Sequence, residues 1–83
     1  MIYIQLKLLG GLRKEKQTSG IEIEFPDGST VQDLEIRLRQ MEINPDLEEI
    51  IVSLSGRGLQ QYPPDRALES GEEVAVFPHI AGG

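Results

Sequence analysis

The sequence predicts an α+β domain, a sheet covered on one face by a single helix, and three observations lead there. Apolar and polar residues alternate with period two near both ends of the chain, the mark of half-buried strands. One stretch near the middle carries apolar residues at helical spacing. No repeat, linker or composition shift divides the 83 residues, so residues 1–83 read as one domain, with a flexible tail over 78–83.

Residues 2–9 alternate, with Ile2, Ile4, Leu6 and Leu8 on one side and Tyr3, Gln5, Lys7 and Leu9 on the other. The stretch GGLRKEKQTSG (10–20) is charged and bounded by glycine, which predicts a loop. IEIEF (21–25) alternates more cleanly, with Ile21, Ile23 and Phe25 inward. So short a link cannot hold a parallel crossover, so these first two strands pair antiparallel.

PDGS (26–29) has turn chemistry. Thr30 with Asp33 resembles a capping box, Asp standing for the usual Glu. Val31, Leu34, Leu38 and Met41 then form one apolar stripe, and Ile36 falls off it. Asn44-Pro45 is the expected helix end, because the residue before proline is pushed out of the α region.

IIVSLS (50–55) reads as a strand, GRG (56–58) as a hairpin signal and LQQY (59–62) as a brief return strand. VAVF (74–77) is the last strand. A single helix with a single stripe covers only one sheet face. Val74 and Val76 therefore face the helix, and Ala75 and Phe77 face the open side. A large aromatic there, beside the end of the chain, is a candidate partner contact.

Composition narrows the chemistry. The chain has no cysteine, which removes disulfides, thiolate metal sites and cysteine nucleophiles, and its single histidine, His79, removes multi-histidine zinc sites. Fourteen acids against eight bases leave a net charge of −6, so phosphate-rich nucleic acid is not the expected ligand. The acidity suits solubility and equally suits steering toward a basic partner. No apolar run approaches the ~20 residues that span a bilayer, and the start MIYIQLKLLGG lacks the basic region of a signal peptide. The expected location is the cytoplasm, away from membranes.

His79 has no serine or acid nearby in sequence, and GRG is followed by no helix start that would aim amides at a phosphate. The acid pairs Glu48-Glu49 and Glu72-Glu73 are expected at solvated loop and strand edges. What remains is the end itself, FPHIAGG (77–83). Glycine loses the most entropy on being held extended, so a terminal pair needs a steric reason, such as entry into a narrow channel. The reactive group is then the α-carboxylate of Gly83, a poor electrophile until a partner using ATP adenylates it. Six residues beyond Phe77 reach roughly 20 Å when extended.

SGEEVAVFPHIAGG resembles the C-terminal signature of the MoaD/ThiS-type sulfur carriers, and is closest to the molybdopterin synthase small-subunit (MoaD) pattern dGDEVAFFPPVAGG. Upstream, GLRKEKQTSGIEIEFPDGSTVQDLEIRLRQ is similar to the family's LRE…G…G.TV.DLL..L segment. The resemblance implies a ubiquitin-like β-grasp fold, a mixed sheet with its first and last strands side by side at the centre. It also implies a non-catalytic sulfur carrier. A MoeB-like adenylyltransferase would activate Gly83, and a sulfur donor enzyme would convert it to a thiocarboxylate. The tail would then enter a MoaE-like large synthase subunit and give its sulfur to the molybdopterin precursor.

Carried over by position, Gly83 holds the thiocarboxylate and Gly82 is the slim approach. Pro78, His79, Ile80 and Ala81 line the route into the partner, Phe77 is the interface aromatic, and Leu59 is a second apolar contact. No cofactor is expected on the chain itself; the ATP is used by the activating partner. His79 stands where the family keeps a second proline, and Ser55 where an asparagine often precedes the hairpin. Related carriers serve thiazole, cysteine or methionine synthesis or tRNA thiolation, and others with this ending modify proteins through lysine. The Phe77-Pro78 pair favours the molybdopterin branch.

Overall fold

Alternation and the helical stripe lead to the elements expected of them. The computed structural model describes residues 1–8, 20–44 and 50–78. In chain order these form β1 (Ile2–Leu8), β2 (Ile21–Phe25), α1 (Val31–Gln40), β3 (Ile50–Leu54), β4 (Arg57–Gly58), a 3-10 turn (Leu59–Gln61) and β5 (Glu73–Pro78). The loop expected over 10–20 lies, apart from Gly20, outside the described residues, as does the tail beyond Pro78. No helix among the described residues is long and apolar enough to cross a membrane.

The sheet has five strands in the order β2-β1-β5-β3-β4. β1 and β5 run parallel at its centre, with Gln5 opposite Glu73 and Leu8 opposite Val76. β2 pairs antiparallel with β1, and β3 antiparallel with β5. This is the β-grasp arrangement, and its central parallel pair needs the long crossover that α1 occupies.

Each strand turns its inward set to the helix. Ile4, Leu6 and Leu8 of β1, Ile23 and Phe25 of β2, Val52 and Leu54 of β3, and Val74 and Val76 of β5 are all buried. Val31, Leu34 and Leu38 of α1 meet them, each burial contributing roughly 1.5–3 kcal/mol. Arg37 lays its guanidinium over the Phe25 ring at 4.7 Å and shields the rim of that core. Ile36, off the stripe, is exposed.

The start of α1 has no orphan donors. The Thr30 N–H donates to Asp33 Oδ2 at 2.8 Å, and the Asp33 N–H donates to Thr30 Oγ1 at 3.4 Å, completing the capping box. The Val31 and Gln32 N–H groups donate to the carbonyls of Arg66 and Pro64 at 2.9 and 3.0 Å. These bonds, with a Thr30–Ala67 bridge, tie residues 64–68 across the helix start and seat Leu68 in the core.

The helix ends before the position expected from Asn44-Pro45. Gln40 is its last residue, and Glu42 takes a left-handed conformation with φ of 65°. The Ile43 N–H reaches the Leu38 carbonyl at 2.8 Å and the Glu42 N–H reaches that of Arg39 at 3.0 Å, which is a Schellman motif. Burying Ile43 against the core is what stops the helix; the proline follows the stop and does not cause it.

The β3–β4 hairpin closes through Ser55 and Gly56, both at positive φ (51° and 85°), as a two-residue I′ turn requires. LQQY does not form the expected return strand. The ladder lasts only through Gly58, and the chain then coils into the 3-10 turn that drops Leu59 into the core, leaving it 2% exposed. The Tyr62 hydroxyl donates to the Leu54 carbonyl at 2.6 Å and holds that turn against β3.

The lead into β5 is also hydrogen-bonded, which corrects the expectation that Glu72 is solvated. The Glu72 side chain is 9% exposed and forms an ion pair with Arg66 at 2.7 Å. The Glu69 N–H donates to it at 2.8 Å and the Ser55 hydroxyl at 2.9 Å. Arg66 in turn lies 5.0 Å from the Tyr62 ring centroid. Burial disfavours the charged carboxylate, but the bonds from Arg66, Glu69 and Ser55 outweigh it and hold Glu72 below the usual carboxylate range. Backbone bonds join this segment to β1: the Gly71 N–H donates to the Tyr3 carbonyl at 2.8 Å and the Gln5 N–H to the Glu72 carbonyl at 3.0 Å. Its neighbour Glu73 does face solvent, paired with Lys7 at 3.0 Å.

Two outcomes follow for stability. Glu42→Gly relieves a left-handed non-glycine residue and is expected to stabilise by about 1 kcal/mol, roughly 4–8 °C in thermal melting. Glu72→Gln removes a charge-assisted network and is expected to destabilise by about 1–3 kcal/mol at pH 7 in urea unfolding. Because the folded-state pKa of Glu72 is lowered, its contribution is complete above the unfolded value, about 4.3, and is lost as pH falls through the folded one. The difference between wild type and Glu72→Gln should therefore shrink below about pH 4.

Candidate functional site

β5 carries the candidate site because it delivers the tail. Val74 and Val76 are 0% and 1% exposed on the helix side, so strand alternation turns Ala75 and Phe77 to the open face, as the sequence predicts. Phe77 is half-buried there, directly opposite Ile51 of β3. Beyond Val76, β5 has only β3 beside it among the described residues: Phe77 pairs with Ile51 and Pro78 with Ile50. The last described residue, Pro78, therefore ends a central strand, one residue past an aromatic that faces away from the core.

The expected site residues are only partly brought together. Phe77 and Pro78 stand side by side at the end of β5. His79, Ile80, Ala81, Gly82 and Gly83 lie outside the described residues. Leu59 is not on this surface. The 3-10 turn that replaces the expected strand rotates it inward, and a buried core side chain offers a partner nothing to touch.

Sequence reading missed Ile51. It sits inside the apolar run Ile50-Ile51-Val52, where no polar residue marks the facing direction. Once Val52 and Leu54 are inward, the same alternation that exposes Phe77 exposes Ile51, at 36%.

Apart from Tyr3, the rest of the open face among the described residues is polar or small. The row next to Phe77 and Ile51 holds Ala75 flanked by Ser53 and Lys7. Lys7 pairs with Glu73, and Gln5 donates to the Glu22 carboxylate at 3.1 Å. The large apolar Tyr3 is exposed at the opposite end of the sheet, near Gly71. The arrangement is a central strand paired on both sides through Val76 with an apolar pair, Phe77 and Ile51, at its end.

Comparisons with known proteins agree with this architecture. The model of the ThiS family matches residues 6–83. A protein assigned as molybdopterin converting factor subunit 1 from Pyrococcus furiosus superposes with a TM-score of 0.72 at 22% identity, covering 96% of this chain and 100% of that one. Small archaeal modifier protein 1 from Haloferax volcanii gives 0.69 at 20% identity, with coverage of 96% and 100%. Subunit 1 in the complex of molybdopterin-converting factor subunits 1 and 2 from Helicobacter pylori gives 0.65 at 16% identity, covering 99% and 100%. A search of curated proteins found no match. At these identities the solved structures establish the fold, while the family model runs from the end of β1 through the helix to the glycine pair. The chain belongs to the ThiS family, the ubiquitin-like sulfur carriers of the ThiS/MoaD type.

Proposed function

We propose that this chain is the sulfur-carrying small subunit of a molybdopterin synthase, with the carboxylate of Gly83 as its reactive group. The observation that carries the reading is the end of β5. A central strand presents Phe77 on the open face and leads through Pro78 into His79-Ile80-Ala81-Gly82-Gly83. The likeness to a molybdopterin converting factor subunit 1, and to one solved in complex with its subunit 2, supports the molybdopterin branch and a large-subunit partner.

The chemistry needs little from the folded body. A carboxylate oxygen of Gly83 attacks the α-phosphorus of ATP in the active site of a MoeB-like adenylyltransferase, and pyrophosphate leaves. Sulfide supplied by the donor enzyme attacks the acyl carbon, AMP departs with one carboxylate oxygen, and a proton is released. The product is a thiocarboxylate. In the large subunit its sulfur passes to the precursor, and water restores the carboxylate. Gly82 and Gly83 keep the tail slim enough for both active sites, since any Cβ would widen it. Pro78 stiffens the exit; His79, Ile80 and Ala81 contact the channel walls. ATP is consumed on the partner, and the chain itself holds no cofactor.

A second reading rests on the likeness to a small archaeal modifier protein. There the activated Gly83 would be taken by a lysine amine of another protein, forming an isopeptide bond.

Incubating the chain with ATP, the adenylyltransferase from its own genome and a sulfide source is expected to replace one oxygen by sulfur, read by intact mass. An unchanged mass with every candidate activating enzyme contradicts the carrier reading. Gly-Gly remnants on lysines of other cellular proteins would favour the modifier instead. Phe77→Ala is expected to weaken binding to the large subunit by about 2 kcal/mol or more, with the melting temperature nearly unchanged. Loss of fold in that variant would mean Phe77 is a core residue.

A further inference from the structure

We propose that the outer edge of β2, together with the groove between β2 and α1, binds an extended segment of another protein in which basic and apolar residues alternate. This site is separate from the end of β5, and the inference does not depend on the carrier reading.

β2 is the outermost strand on its side of the sheet, and nothing among the described residues pairs with its outer edge. The direction of its main-chain groups follows from β1. The Tyr3 N–H donates to Ser70 Oγ at 3.0 Å and the Tyr3 carbonyl accepts from the Gly71 N–H at 2.8 Å. The Gln5 N–H donates to the Glu72 carbonyl at 3.0 Å. Tyr3 and Gln5 therefore turn their main chain away from β2, and their antiparallel partners, Glu24 and Glu22, turn theirs to the outer edge. Of these outward groups only the Glu24 carbonyl has a described partner, Arg37 Nη1 at 3.4 Å. An edge of this kind is a template for an added strand.

A second feature lies beside it. A groove of about 340 Å³ runs between Phe25 and Pro26 at the end of β2 and Ile36, Arg37 and Gln40 of α1. Ile36 is off the core stripe and 46% exposed, so the core does not use it. An apolar side chain from a strand added to β2 would enter this groove and cover it.

Charge selects the occupant. Glu22 and Glu24 are exposed on the open face; Glu22 accepts from Gln5 at 3.1 Å, and neither has a cation partner among the described residues. A side chain directly opposite either one is favoured when basic and opposed when acidic. The alternate residues of the added strand point to the helix side, where apolar ones meet the groove. A second copy pairing through β2 would set these glutamates against their own kind, with a net charge of −6 on each chain. The occupant is therefore a different protein with a basic–apolar–basic run. β1 separates β2 from β5, so this partner holds the domain without covering Phe77.

The test titrates the isotope-labelled full chain with the peptide acetyl-Val-Lys-Val-Lys-Val-amide and follows backbone amides by NMR. Saturable shifts are expected at Ile21–Phe25 and at Ile36, Arg37 and Gln40, with Ile51 and Phe77 unmoved. The double variant Glu22→Lys with Glu24→Lys is expected to raise Kd roughly tenfold. Ile36→Ser is expected to raise it roughly threefold. Melting temperatures stay nearly unchanged in both. If the double variant fails to fold, Glu22→Gln with Glu24→Gln replaces it with the same expected direction. A peptide methylated on both lysine main-chain nitrogens keeps its charge but cannot donate to the edge, and is expected to lose binding. Equal binding by the methylated peptide overturns the inference, because charge alone then accounts for it. An unchanged Kd in the double variant, shifts confined to other strands, or no saturable binding at millimolar peptide also overturn it. A wild-type dimer in sedimentation that Ile36→Ser breaks gives the edge to a second copy and overturns it as well. None of these results alters the sulfur gain on Gly83 by which the carrier reading is judged.

Discussion

The parallel pairing of β1 with β5 at the centre of the sheet is the constraint on which the rest depends. A strand flanked on both sides, with Val74 and Val76 fully buried under the helix, is the hardest part of a small domain to open. Placing β5 there anchors Glu73–Val76 between two neighbouring strands. It also decides which way Phe77 faces. Because Val76 must serve the core, its neighbour must serve the other side, and Ile51 follows across the ladder.

Two local devices keep β5 in register without adding to the core. The Glu72 carboxylate gathers donors from Arg66, from the Glu69 amide and from Ser55, joining the β3–β4 hairpin to the segment that enters β5. The backbone of Gly71 and Glu72 is meanwhile bonded to β1. At the other end of the topology, the Schellman motif after α1 folds Ile43 onto the core and directs the chain toward β3. Neither device involves Phe77 or Ile51, so each stabilises the sheet without occupying its open face.

Much of this was legible in the sequence where a single period governed the residues. The alternation in β1, β2 and β5, the α1 stripe, the capping box and the open-face position of Phe77 all follow from spacing alone. The errors fell where long-range packing decided. Leu59 reads as a strand residue next to a hairpin, yet the core beneath the hairpin needed an apolar plug and drew it inward through a 3-10 turn. Ile43 ended the helix before Pro45 did, because its burial outweighed the helical propensity of the residues that follow Gln40. Glu72 looked like half of a solvated acid pair, since nothing in the linear order reveals that Arg66 and Ser55 converge on it. Ile51 was hidden by its apolar neighbours. The glycine pair was conspicuous from the start, and its chemistry stands on the family and on the proposal made from it.

In the proposed function the body of the protein is a handle gripped on the open face at the end of β5. Titrating the unlabelled adenylyltransferase into the isotope-labelled chain and following backbone amides by NMR tests it most directly. Perturbations are expected to concentrate on Ile50–Ser53, Ala75–Phe77 and the residues after Pro78, with the exposed side of Val31–Gln40 silent. Perturbations confined to the helix, with β3 and β5 unmoved, would contradict it.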